Sequence, residues 1–176
     1  MTGIEAREVG LLASNRPLPA YVSLSTGGRL PPGRIIDNDS VGGEPENPQT
    51  PFDPSEDGID FYESLEGMLV ELREAVVVGP SSKYSEVWVV PGGAEGFGPR
   101  TPRGGLFLAE DDRNPERIRV RVGKSASWNV GDVLKKVRGV LDYSYGIFVL
   151  RLLEEPVWVG GCVKPETTFH ASAWRD

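Results

Sequence analysis

From Gly67 onward the apolar residues recur at every second position, and that period constrains what this chain can fold into. In ERIRVRV (116–122), Ile118, Val120 and Val122 fall on one side while Arg117, Arg119 and Arg121 fall on the other. GMLVELREAVVV repeats the pattern, with Met68, Val70 and Leu72 against Glu71 and Arg73. A period of two belongs to an extended strand with one face buried, because successive side chains point to opposite sides of a sheet. SEVWVV (85–90), GGLFLA (104–109) and EPVWVGG are further strand candidates. VGDVLKKVRGVLDYSYGIFVLRLL supplies two long strands around a turn near Asp142–Gly146. Upstream, YVSL (21–24) and RLPPGRII (29–36) read as short strands. With 22 Gly and 15 Pro among 176 residues, tight turns are plentiful. The expectation is an all-β chain with one short helical turn, arranged as an OB-like, partly open barrel or, alternatively, a sandwich.

Three regions follow: a loop-rich N-terminal segment over 1–51, a barrel-like domain over 52–163 and a polar tail over 164–176. The net charge of −7 is divided unevenly between them. Residues 37–72 hold 11 of the 26 acidic residues and no Lys or Arg, so an acidic block is attached to a mildly basic body. DNDSVGGEPENPQTP (37–51) offers one bulky apolar residue, Val41, and reads as a connector.

Within FDPSEDGIDFYESLEGMLV (52–70), carboxylates crowd around a glycine. Counted from Asp53, the oxygen positions Asp53, Ser55 and Asp57 and the glycine Gly58 fit a calcium loop. The pattern then breaks, with Asp60 where an aliphatic residue belongs and Ser64 where a glutamate closes the loop. A looser calcium site drawn from Asp37, Asp39, Asp53, Asp57 and Asp60 stays open beside a plain solvated acidic loop. The second half reads as a capping box, Asp60 to Glu63, over a turn Phe61–Glu66 that Gly67 ends in a left-handed conformation.

Arg117, Arg119 and Arg121 have the spacing to track a phosphate backbone, with Lys124, Lys135, Lys136 and Arg138 near in sequence. Tyr143, Tyr145 and Trp128 offer stacking surfaces. The competing reading is a solvated sheet face whose arginines pair with Glu110, Asp111, Asp112 or Glu116. Catalytic patterns are missing. One histidine, His170, and one cysteine, Cys162, make neither a triad nor a metal cluster, and the glycine-rich run 91–105 lacks the Lys-Ser/Thr of a phosphate loop. The N-terminus lacks the features of a signal peptide, and no stretch reaches the roughly 18 apolar residues of a membrane span.

Several blocks occur together and in order: PLPAYVSL, GRIIDND, FDPSEDGIDFYESLEGMLVEL, RTPRGGLFL, DDRNPERI and VGDVLKKVRGVLDYSYGIFVL. Over roughly residues 17–152 the chain resembles the region ahead of the catalytic domain in large secreted bacterial nucleases of the endonuclease/exonuclease/phosphatase superfamily. The resemblance implies a non-catalytic accessory module that supports or orients a separate catalytic domain and contacts DNA or RNA. It implies a secreted setting, in which extracellular calcium would suit a weak acidic site. The metal carboxylates, Asn and His pair of such nucleases belong to the domain that follows, so no catalytic residue and no required cofactor is carried over. A calcium-stabilised structural or adhesion module is the alternative.

Overall fold

The structure is a computed structural model and describes residues 5–94, 97–122 and 128–160. Seven strands form: β1 (Val22–Leu24), β2 (Leu69–Val77), β3 (Glu86–Val90), β4 (Ile118–Arg121), β5 (Val133–Ser144), β6 (Ile147–Leu152) and β7 (Val157–Val159). One helix, α1 (Gly58–Glu63), precedes β2. The sheet runs β1-β2-β3-β4-β6-β5-β7, and β2 also pairs with β5 from Leu69↔Val140 to Val76↔Val133. That second pairing closes β2-β3-β4-β6-β5 into a five-stranded barrel and rules out a sandwich. All pairings in the ring are antiparallel except β4 with β6. This is the strand order of an OB-like barrel. The ring is closed rather than partly open.

The alternation works as expected on β4, where Ile118, Val120 and Val122 are buried inside the barrel. It breaks once in β2. Val70 and Leu72 face the core, but the next inward residues are Ala75 and Val77. The change of parity falls across Glu74, whose backbone is left-handed at φ 49°. β5 changes with it, from Val137 to Leu134. β2 stays paired with β5 past the bend, to Val76↔Val133, and its end also pairs with β3, at Val76↔Val90. Val76 and Val90 consequently leave the main core and pack outside it with Val78, Phe97, Leu106 and Val133.

Helix α1 presents Phe61 and Tyr62 to the barrel core, and the turn after it adds Leu65, each buried. Burial of each such side chain contributes roughly 1.5–3 kcal/mol. The expected capping box does not form. The helix starts three residues earlier, after Asp57, and the Asp60 carboxylate instead accepts the Asp53 amide at 2.8 Å. Gly67 does adopt the left-handed conformation, φ 75°, and its amide donates to the Leu141 carbonyl at 2.8 Å. Two expected strands also fail to form among the described residues. GGLFLA is reduced to an isolated bridge, Arg100↔Leu106, and of RLPPGRII only Arg29 bridges, to Leu24.

Candidate functional site

The arginine stripe on the outer face of β4 resolves into two kinds of residue. Strand β3 places Glu86 opposite Arg121 and Trp88 opposite Arg119. Glu86 is buried, and it takes up both neighbouring guanidiniums. Arg119 donates to its Oε2 at 3.2 Å, and Arg121 donates to its Oε1 at 2.7 Å. Arg119 also donates to the Ser144 carbonyl at 3.1 Å. These two arginines hold β4 to β3 and to the β5–β6 turn. Their acidic partner is Glu86, not Glu110, Asp111, Asp112 or Glu116.

Arg117 differs. It is exposed, and its guanidinium lies 5.0 Å from the Trp88 ring centroid. This pair lies on a groove of about 220 Å³ whose lining includes Arg113, Ile147, Tyr143 and Phe148. Tyr143 and Phe148 meet edge to face, with centroids 4.9 Å apart. Tyr145 stands 93% exposed at the β5–β6 turn next to it. Among the described residues, neither Arg113 nor Arg117 meets a carboxylate in an ion pair. Two arginines and a set of aromatic rings thus share one surface.

The cations of β5 are elsewhere, separated from β4 by β6. Lys135 pairs with Glu74 at 2.7 Å, Lys136 with Glu154 at 3.7 Å, and Arg138 with Glu71 at 2.6 Å. Arg138 also stacks over Tyr21. Burial alone would raise the Glu71 carboxyl, but hydrogen bonds from Arg138 and Arg73 outweigh it and hold the group below its ordinary range. Lys124, Cys162 and His170 lie outside the described residues. Trp128 is a core residue, 4% exposed, and is not a stacking surface.

Behind the groove lies Glu116, 0% exposed, with neither carboxylate oxygen hydrogen-bonded. Burial, then the charge of Asp112, pushes its carboxyl up to about 7, against the pull of its own backbone amide, Arg117 and Arg100. Tyr62 donates to the Glu116 carbonyl at 2.9 Å, which ties α1 to the entry of β4.

The acidic block folds onto itself. The amides of Gly58 and Ile59 donate to the carbonyls of Ile35 and Ile36, each at 3.0 Å, so the segment before Asp37 is laid against the start of α1. Asp37, Asp39 and Asp57 gather as one group, and Asp53, Asp57 and Asp60 as another, with the carboxylate oxygens of each group within 4.8 Å of one another. Asp57 belongs to both. Ser64, at the closing position of the calcium-loop frame, is engaged otherwise: it accepts from Arg29 and donates to the Phe61 carbonyl. An acidic groove of about 750 Å³ lined by Glu44, Glu46, Asp60 and Glu63 adjoins the cluster, and it shares Tyr143 and Phe148 with the basic groove.

Sequence reasoning missed Trp88, Arg113 and Phe148. The signal for Trp88 was present in EVWVV, where inward Val87 and Val89 force Glu86 and Trp88 outward. Residues 23–162 match the family model described as Domain of unknown function (DUF8508). The chain belongs to this family. The match takes in every strand except the first residue of β1, and so the complete DUF8508 barrel with its acidic connector. No curated protein and no solved structure shows significant similarity to the chain. Among the described residues, no helix is long and apolar enough to cross a membrane.

Proposed function

We propose that this DUF8508 chain is a non-catalytic, OB-like accessory module of a secreted nuclease, which holds single-stranded nucleic acid for a separate catalytic domain. The observation that carries the binding role is the groove of Trp88, Arg117, Arg113, Tyr143 and Phe148 on the β3–β4 side of the barrel. OB barrels bind oligonucleotides and oligosaccharides on that side. Aromatic rings and guanidinium planes stack on any base, and unpaired arginines meet phosphates, so the combination suits a strand without a required sequence. The ordered sequence blocks support the nuclease setting, the catalytic domain as partner and secretion.

A structural or adhesion role is the second reading. It is favoured by the pairing of Arg119, Arg121, Lys135, Lys136 and Arg138 with carboxylates, which leaves few cations for phosphates. Fluorescence anisotropy with labelled single-stranded and duplex oligonucleotides at low salt separates the two. The binding role predicts preference for single strands, and a roughly 10–100-fold loss for Trp88→Ala, the size of one lost base stack. Arg117→Ala weakens binding through the same groove without removing a ring. Absence of binding by the wild type leaves the structural reading.

A further inference from the structure

Five carboxylates converge where no side chain neutralises them. Residues 37–72 contain no Lys or Arg, and among the described residues no ion pair reaches Asp37, Asp39, Asp53, Asp57 or Asp60. Some of their oxygens are satisfied locally. Asp37 Oδ1 accepts the amides of Asp39 and Ser40, and Asp60 Oδ2 accepts that of Asp53. The oxygens at the centre are not. Asp57 is 1% exposed, yet its Oδ1 has no hydrogen-bond partner, and its Oδ2 receives only a long 3.4 Å bond from the Asn38 amide. Asp39 Oδ1 and Asp53 Oδ1 are likewise buried and unpartnered. A buried polar oxygen left without a donor is costly, and a buried, unpaired carboxylate costs more.

A cation is what such an arrangement lacks. All the side-chain ligands on offer are carboxylate oxygens, the donor set of a hard divalent ion. Oxygens bound to one calcium ion stand at most about 5 Å apart, twice the Ca–O distance of about 2.3–2.6 Å, and in each aspartate group one oxygen per residue lies within 4.8 Å of the others, inside that limit. Magnesium demands a near-ideal octahedron and keeps several of its waters, so a cluster of carboxylates from two chain segments suits the more adaptable calcium ion better.

We propose that Asp37, Asp39, Asp53, Asp57 and Asp60 form a calcium site centred on Asp57. The ligands come from both sides of the loop 40–52, so the ion clasps the connector to the start of α1, and through Phe61, Tyr62 and Leu65 to the barrel. It also lowers the negative charge beside Tyr143 and Phe148. The site differs from a calcium loop of one continuous segment because Asp37 and Asp39, from the other side of the connector, stand in for the closing glutamate that Ser64 does not supply.

The test uses the full chain and the metal alone, so its outcome is independent of nucleic-acid binding. Protein stripped with EGTA is melted with CaCl2, with MgCl2 and with NaCl of equal ionic strength, and calcium binding is measured by calorimetry. Calcium at about a hundred times its Kd raises Tm by about 5–10 °C, and magnesium raises it less. The calorimetric stoichiometry separates one shared ion from two bridged by Asp57. Asp57→Asn removes a repelling charge, so it melts at or above the stripped wild type but no longer responds to calcium. Asp39→Asn, at a less buried position, weakens calcium binding at least tenfold and serves if Asp57→Asn does not fold. Identical melting of the wild type in EGTA and in millimolar calcium overturns the proposal. So does a calcium response that both variants share in full.

Discussion

Glu116 is buried without a hydrogen-bond partner for its carboxylate, so it links pH to stability. Its pKa in the folded chain is about 7, above the ordinary 4.5, so the unfolded chain gives up this proton first as pH rises. Between those two values the folded state holds more protons, and stability therefore falls with rising pH across that window and is level on either side. Asp112, Arg117, Arg100 and the Tyr62 hydroxyl are the polar groups around it. Glu116→Gln is expected to raise stability at pH 8 by roughly 2–3 kcal/mol and to lose the decline between pH 4.5 and 7. Superimposable wild-type and variant profiles of Tm against pH would contradict this. Nothing in ERIRVRV distinguishes Glu116 from a solvated acid, because its surroundings come from distant parts of the chain: Tyr62 bonds its carbonyl, and Arg100 and Asp112 act on its charge. The fate of the arginines was only half legible for the same reason. Alternation puts Arg117, Arg119 and Arg121 outward, but their different roles depend on which β3 residues lie opposite, and that register is a long-range property.

At the scale of elements, the strands were legible wherever a buried face imposes period two. β2, β3, β4, β5 and β6 each appear within the segments that the alternation marks. GGLFLA misled because only Leu106 packs, in a patch outside the barrel, while Phe107 and Leu108 are exposed and no buried face lines a ladder. The helix start was misplaced because the Asp60 carboxylate bonds the Asp53 amide and does not cap, while Asp57 takes the cap position with no side-chain bond to the helix amides. The β5–β6 pairing contains a tight approach. A Cβ added at Gly139 would fall inside the van der Waals surface of the Arg151 carbonyl and press on Leu150 Cγ. Gly139→Ala should therefore cost about 1–3 kcal/mol as overpacking, a drop in Tm of roughly 3–10 °C. Gly146→Ala, in the adjoining turn, meets no atom but is strained by its φ of 75° and is expected to cost less. Equal melting of Gly139→Ala and the wild type would mean that β5 and β6 are farther apart than described.

At the scale of the whole molecule, the opposing charges are segregated. One side of the β5–β6 hairpin faces the acidic connector, and the other faces Trp88, Arg113 and Arg117, with Tyr143 and Phe148 between. The net charge of −7 describes neither side. The acidic block was visible in the sequence as a run without bases, whereas the convergence of its two halves on Asp57 required the fold. The central claim is that the basic, aromatic side of this barrel binds a nucleic-acid strand. Its most direct test is the salt dependence of single-stranded oligonucleotide binding, measured by anisotropy for the wild type, the Arg113→Ala/Arg117→Ala double variant and Arg119→Ala. Each phosphate contact contributes about 0.7 to the slope of log K against log salt for single strands. The double variant is expected to be shallower than the wild type by about 1.4. Arg119→Ala, whose guanidinium is committed to Glu86, keeps the wild-type slope. No binding at low salt, or a double variant with the wild-type affinity and slope, would contradict the claim.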